Sequence, residues 1–573
     1  MPQKISMPIH SILVSLSNRL GYQQIICGLI VLPCLVVAWV IPRLGDRVFG
    51  AVERFGILVG ESKGLAIVSI AVAPILIRLA FLWLLPVPIP ITHDEFSYLL
   101  QADTFAHGRL TNPTHPMWVF FDTIHVNQQP TYMSKYPPAQ GAMLAVGLLA
   151  GNAWYGVVLS VGLMCAAVLW MLQGWLPPRW ALLGAVLVLL RVGIFTYWMN
   201  SYWGGELAAI GGALVVGAMP RILRFPRPRE ALLLGLGVAI LANSRPLEGL
   251  IFCLPVMAIL FIWLCSKRSP PLRITLPRMI LPFGVVMLLC GAFMGYYNWR
   301  GTGSPLVFPY SVNEQGYVTT PTLFWQKARA PLHYMNPQFE DFYNGWVRES
   351  WLADRVDSIQ HAARHLFSVV SKATYFYMWP EFCVLVVALP WAAGDRRIRF
   401  LLVQTIICVL GFLLVPWFQP HYAAPLLATS FAVLTQLIRH LRLWRNGVRP
   451  VGIAFARVIV LSAIFLAPFH PHVATWGHPA PSGIEYRPRF EALLNSTPGD
   501  QLVIVRYSSK HDVLQEWVYN RAEIDHAKVV WAREIPGVDI HPLLNYFSRR
   551  RVWLAEPDAT PPRITPYSGV APD

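Results

Sequence analysis

The chain has 573 residues, of which 55% are hydrophobic and 13% carry charge, and its mean hydropathy is +0.47. A soluble domain holds roughly 25% charged residues, so the composition excludes an ordinary soluble enzyme and points to a polytopic membrane protein. The net charge of +16 is not a nucleic-acid footprint, because Lys and Arg fall in short clusters between apolar runs rather than on one face.

Apolar runs of spanning length begin near Tyr22, Gly64, Ala153, Trp180, Gly204, Glu230, Leu247, Met279, Leu366, Ile398, Tyr422 and Gly452. The piece from Ala139 to Gly151 is too short to span and reads as an interfacial helix. Basic clusters at Arg221–Arg229, Lys267–Arg278, Arg396–Arg399 and Arg439–Arg449 alternate with turns nearly free of basic residues. That alternation assigns the clusters to the cytoplasm. It places the loop of residues 91–138, the loop of residues 299–365 and everything after about His470 outside. Arg43, Arg47, Arg54 and Lys63 put the segment between the first two runs inside. The position of Met1 then depends on whether the first run spans. The N-terminus lacks a convincing cleavable signal peptide, so that run is expected to stay.

The expected architecture is an α-helical polytopic membrane protein with about 11–12 transmembrane helices plus interfacial helices and a small C-terminal α/β extracytoplasmic domain. Its expected divisions are an N-terminal segment (residues 1–63), a transmembrane domain (64–469) and a soluble α/β domain (470–573). In the last, Gln501–Tyr507, Lys528–Trp531 and Arg551–Leu554 read as strands and Leu543–Arg550 as a short helix. Pro468–Pro488 reads as the link to the membrane part. The eight cysteines all lie in or beside apolar runs without Cys-x-x-Cys spacing, which predicts neither a disulfide framework nor a cysteine metal site.

The residues that could carry chemistry lie at the outer turns. Thr92-His93-Asp94-Glu95 matches a helix capping box, with Glu95 three residues after the N-cap and Gly108 placed to close the helix. Consecutive helical residues point about 100° apart, so Asp94 and Glu95 are not expected to share a proton. Asp94 is the preferred catalytic base and Glu95 a second catalytic candidate or a helix-start acid. Lys135, in Ser134-Lys135-Tyr136-Pro137-Pro138, can meet a lipid headgroup or phosphate, or simply snorkel. Arg245 and Glu248 can bind substrate or pair with each other. Tyr98, Glu206, His421 and Tyr422 complete the substrate-binding candidates, with Tyr202 and Trp203 beside Glu206. His93, Asp94 and His115 could in principle hold a metal, but their spacing is not diagnostic, and no metal or other cofactor is expected to be required.

These motifs resemble the membrane glycosyltransferases of the GT-C class, in particular the protein O-mannosyltransferase and lipid A aminoarabinose transferase group. The resemblance rests on Asp94-Glu95-Phe96-Ser97-Tyr98, on Lys135-Tyr136-Pro137-Pro138 and on the topology of roughly residues 60–470. It implies an integral membrane enzyme that passes a sugar from a polyprenyl-phosphate donor to an envelope glycan, lipid or protein acceptor. The site would face the periplasm from a bacterial inner membrane. Asp94 would be general base on the acceptor hydroxyl, and Lys135 would meet the carrier phosphate. One base opposite one leaving group suits inversion at the anomeric carbon. The chain departs from the aminoarabinose-type pattern at two places: Ser97 stands where an Arg is frequent, and Tyr136 is an extra residue before the Pro-Pro pair. A glycan ligase or polymerase relying on the outer arginines, and a lipid or glycan transporter, are the alternatives. A transporter would need charge at the bilayer midplane, for which Glu381 is the one candidate.

Overall fold

The computed structural model describes residues 21–378, 383–396, 398–469 and 485–568. Glu381, the first residues through Leu20 and most of the Pro468–Pro488 link lie outside them. The chain is a helical polytopic membrane protein with a small C-terminal sheet.

Six described helical segments are long and apolar enough to cross a membrane: Lys63–Ala80, Ala153–Trp175, Glu206–Arg224, Pro246–Leu264, Leu272–Thr302 and Pro420–Leu441. Shorter apolar helices cover Gly28–Val40, Pro138–Leu149, Arg399–Phe412 and Val451–Leu466. Among the described residues, some of the expected runs form shorter helices. The run at Trp180 gives Pro178–Val192 and then turns at Gly193. The run near Glu230 gives Pro228–Ala242, fifteen residues, and the run near Leu366 lies in the amphipathic helix Ile359–Tyr377. Pro178 and Pro228 set the starts of their two helices, and Gly193 and Asn243 cap the ends.

Four helices position the site. We label His93–Ala106 α1, Pro138–Leu149 α2, Ala153–Trp175 α3 and Glu206–Arg224 α4. The helix α3 is central and packs on α4, on α2 and on Lys63–Ala80. Close approach fixes α2. A Cβ added at Gly156 of α3 would lie 2.1 Å from the Met143 carbonyl oxygen, and one at Gly141 would lie 2.3 Å from Gln101 Oε1 on α1. The backbone contact at Gly156 requires glycine, whereas the contact at Gly141 is with the Gln101 side chain; in lipid such close packing replaces the hydrophobic drive between helices.

Between α1 and α2 the chain forms a short hairpin of β1 (Val126–Asn127) and β2 (Met133–Ser134), antiparallel, with Val126 opposite Ser134. This register brings His125 beside Lys135, whose N–H donates to the His125 carbonyl at 3.3 Å.

The C-terminal part begins with helix Tyr486–Ser496. Its sheet contains β3 (Gln501–Val505), β4 (Val529–Arg533), β5 (Arg551–Glu556) and β6 (Arg563–Pro566) in the order β4-β3-β5-β6. The first three are parallel, and β6 runs antiparallel to β5. The expected strands and the helix at His541–Tyr546 are present; β6 and the helix at Tyr486 are additions. Side chains alternate between faces along β3. Val503 and Val505 pack on Trp517, Trp531 and Leu494. Leu502 and Ile504 enter a core that also holds Leu100, Phe120, Phe121 and Val126. The sheet thus shares its core with the loop that carries Asp94.

Candidate active site

Helix α1 starts at the capping box. The Glu95 side chain reaches back: its Oε2 accepts from the N–H groups of Ile91 and Thr92 at 2.8 and 2.9 Å. Its Oε1 accepts from the Tyr202 N–H at 3.0 Å, and the residue is only 2% exposed. Burial raises its carboxyl, while these backbone donors oppose the rise. At the other end, Gly108 is left-handed (φ 72°), its N–H bonds Phe105 O, and the Arg109 N–H bonds Thr104 O. That pattern is a Schellman closure, so both ends of α1 are fixed by sequence.

Asp94 points away from Glu95. It accepts from the Tyr136 hydroxyl, and that hydroxyl also lies 3.0 Å from His125 Nδ1. Its carboxylate is 3.7 Å from the same imidazole nitrogen and 26% exposed, half-open to the pocket. Burial and the neighbouring Lys135 ammonium hold His125 well below the ordinary imidazole range, so it is neutral. Burial and the Asp94 carboxylate push Tyr136 well above the phenol range, so it stays a donor. His125, whose φ is +64°, had no sequence signal: nothing near it forms a motif, and only the hairpin register brings it to the site.

Lys135 is 5% exposed, and its Nζ lies 4.0 Å from Glu314 Oε1, 5.0 Å from the Tyr310 ring and 5.4 Å from the Tyr136 ring. Burial lowers its ammonium, with Glu314 and Asp94 opposing. Burial likewise raises Glu314, with Lys135 opposing. A buried lysine on a loose carboxylate contact is not a snorkelling one. It lines a groove with Pro137, Pro138, Pro246, Met294, Tyr297 and Phe308, a largely apolar wall that also holds Asn243 and Asn298.

Three other turns converge here. Arg245 holds its guanidinium 4.6 Å from the Tyr422 ring centroid, and Glu248 is its nearby countercharge. Tyr98 stacks on Tyr136 at 4.6 Å and lies in the field of Arg245, Asp94 and Glu206. Glu206 is fully buried and accepts from Gln140 Nε2 at 3.0 Å. His421 is 2% exposed, 3.0 Å from the Tyr197 hydroxyl and 4.9 Å from the Trp203 ring. Asp94, Lys135, Tyr98, Arg245, Glu248 and Tyr422 therefore share one neighbourhood, with Glu206 and His421 deeper behind it.

The possible metal trio separates. His115 Nε2 meets Asp525 at 2.9 Å, far from Asp94 in its partners, and His93 lies between the Tyr519 hydroxyl (2.7 Å) and the Val513 carbonyl (2.8 Å). Among the described residues no group of His, Cys, Asp or Glu is arranged to hold a metal ion. These histidines instead dock the crossover between β3 and β4 onto the first loop. Further contacts join the same surfaces: Asp103 Oδ2 accepts from the Ala522 N–H at 2.7 Å, and Arg109 pairs with Glu523 at 2.9 Å. A buried Glu516–Arg533 pair stands behind them, with Arg533 reaching Gln338 at 3.1 Å.

Fold and site together define a polytopic helical membrane protein with a half-buried carboxylate and a buried lysine at one end of the bundle. No protein-family model matches the chain, and no curated protein matches it. Among solved structures it is similar to ArnT from Cupriavidus metallidurans bound to undecaprenyl phosphate, at 13% identity and a TM-score of 0.46, over 85% of this chain and 92% of that one. It is also similar to the Archaeoglobus fulgidus oligosaccharyltransferase in a complex with Zn and sulfate, at 11% identity and a TM-score of 0.47, over 85% of this chain and 68% of that one. For the same archaeal protein, AglB, with an inhibitory peptide and a dolichol-phosphate, the values are 12% and 0.41, and the match spans 62% of its length.

Proposed function

We propose that the chain is a membrane glycosyltransferase. It transfers a sugar from a polyprenyl-phosphate donor to an envelope glycan, lipid or protein acceptor at the extracytoplasmic face of a bacterial inner membrane. The observation that carries this reading is the half-open Asp94 carboxylate lying in the field of buried Lys135, which itself lines an apolar groove.

The chemistry needs two things from the protein: a base for the acceptor and a cation for the phosphate. Asp94 takes the proton of the acceptor hydroxyl as that oxygen bonds the anomeric carbon. The bond from the anomeric carbon to the phosphate oxygen breaks, and its electron pair leaves on the polyprenyl phosphate. Lys135, with Arg245 nearby, balances the charge that develops there. The apolar groove leading away from Lys135 suits the first isoprene units. Attack opposite the leaving group inverts the anomeric carbon. Glu95, committed to backbone donors, caps α1 in this scheme and does not turn over protons. Tyr98, Glu248, Tyr422, Glu206 and His421 line the sugar side. The scheme calls for no cofactor if Lys135 and Arg245 balance the charge on the leaving phosphate.

The reading is tested by lipid and glycan mass spectrometry on cells with and without the chain. Loss of one sugar from an envelope component, with accumulation of a polyprenyl-phosphate sugar, supports it. Unchanged glycans and unchanged carrier lipids refute it.

A further inference from the structure

Tyr136, the extra residue between Lys135 and the Pro-Pro pair, is so far without a role. Its position is unusually determined. The hydroxyl donates to Asp94 and lies 3.0 Å from His125 Nδ1, while the ring stacks on Tyr98 and faces Lys135. The backbone is held on both sides, from α1 and from β2. Gln101 Nε2 donates to the Tyr136 carbonyl at 2.9 Å, and the Tyr136 N–H donates to Ser134 Oγ at 3.1 Å. Ser134 Oγ in turn meets Ser97 Oγ at 2.7 Å.

Ser97 is fully buried, with its hydroxyl donating to the His125 carbonyl at 2.7 Å. A long side chain has no room there. The small residue at 97 is therefore what allows residues 134–136 to lie against α1. The two departures from the aminoarabinose-type motif, Ser97 and Tyr136, meet through Ser134.

The hydroxyl of Tyr136 has one proton and two neighbours. Given to Asp94, it leaves the phenol oxygen free to accept from His125. Neutral His125 can supply that bond as its Nδ1–H tautomer. The hydrogen bonds then run in one direction, from His125 to Tyr136 to Asp94. Donation onto a carboxylate favours its charged form and fixes which oxygen stays free. The groups that face Asp94 besides these two are Lys135, Tyr98, His93, Tyr422 and Tyr519. Among the described residues, Tyr136 is the side chain that donates a hydrogen bond to Asp94.

We propose that Tyr136 is a positioning residue that aims the Asp94 carboxylate at the acceptor hydroxyl, with His125 setting the direction of its hydrogen bond. This rests on the reading of Asp94 as the base. It also means that base and phosphate cation are mechanically joined, because Lys135 and Tyr136 are consecutive and move together.

The test is infrared difference spectroscopy, at one fixed neutral pH, of the purified full-length protein in lipid nanodiscs, with the Asp94 carboxylate stretching band assigned by difference from Asp94→Asn. Tyr136→Phe keeps the ring and removes the donor, so it should shift that band as a hydrogen bond to the carboxylate is lost. Sugar transfer in cells at matched membrane levels should fall about tenfold, and binding of undecaprenyl phosphate to the nanodiscs should not change. His125→Phe should shift the band in the same direction by less, and serves in place of Tyr136→Phe if that variant does not fold. An unmoved Asp94 band in a folded variant overturns the proposal, as does loss of undecaprenyl phosphate binding without a band shift. If Asp94→Asn transfers sugar like wild type, the functional reading has failed instead. If Asp94→Asn is inactive and the band is unmoved, only the role of Tyr136 has failed.

Discussion

Asp94 and Glu95 are consecutive residues whose carboxylates serve opposite sides of one helical turn. Glu95 is buried and accepts from the N–H groups of Ile91, Thr92 and Tyr202, whereas Asp94 is half-open and meets only side chains, Tyr136 and His125. Two acids that the sequence presents as a pair thus have separate tasks. Glu95→Gln should leave the pocket intact but weaken the start of α1, costing about 1–3 kcal/mol for the buried donors left unpaired. Thermal melting in detergent reads this as a lower transition with residual activity. Asp94→Asn should melt like wild type and lose activity by about 10²- to 10⁴-fold.

Lys135 should matter for the donor rather than for the fold. Lys135→Ala should weaken undecaprenyl phosphate binding by about 10- to 100-fold, the value of a hydrogen-bonded charge partner. Titration of the purified protein with that lipid, followed by tryptophan fluorescence, measures it. Glu314→Gln, which removes the opposing carboxylate, should tighten binding of the same phosphate.

Asp122 gives a pH signature. Tyr317 donates to its Oδ1 at 2.9 Å, but burial pushes its carboxyl up to about 7. A folded-state acid with a raised pKa costs stability once the unfolded chain ionises, so wild-type stability falls as pH rises from about 4 to about 7. Asp122→Asn keeps the acceptor for Tyr317 and removes that cost. Its melting temperature should match wild type near pH 4 and exceed it increasingly up to pH 7; an advantage independent of pH contradicts the assignment.

The contacts of the C-terminal sheet with the first loop differ in weight. Arg109 and Glu523 are each about a third exposed, at 33% and 39%, and a surface pair of this kind is worth about 0–1 kcal/mol. Glu516 and Arg533 are 3% and 0% exposed. Glu516→Ala strands a buried guanidinium and should cost about 3–5 kcal/mol. Limited proteolysis should then cut the 506–528 crossover faster in Glu516→Ala than in Glu523→Ala.

Much of this site was legible in the sequence, for identifiable reasons. The cap at Thr92 and the closure at Gly108 are local, so composition at fixed offsets reveals them. The 100° spacing of helical residues already separated Asp94 from Glu95. The positive-inside pattern put Arg245, Glu248 and Tyr422 at turns on the same face as Asp94. The missing parts are long-range. His125 and Glu314 reach the site only through hairpin register and through the packing of the second loop, neither of which leaves a local pattern. The docking of β3 onto Leu100 and Phe121 joins residues some four hundred positions apart. Hydropathy marks the apolar runs but not the exact helix ends, which Pro178 and Pro228 set at the start and Gly193 and Asn243 at the close.

The central claim is that Asp94 is the base of a sugar transfer. The direct measurement is glycan and lipid mass spectrometry on cells carrying the wild-type chain, a deletion, or Asp94→Asn at matched membrane levels. The account predicts that deletion and Asp94→Asn lose the same sugar from an envelope component and accumulate the same polyprenyl-phosphate donor. A glycan changed by deletion but restored by Asp94→Asn would contradict it, leaving Asp94 as a helix-start acid.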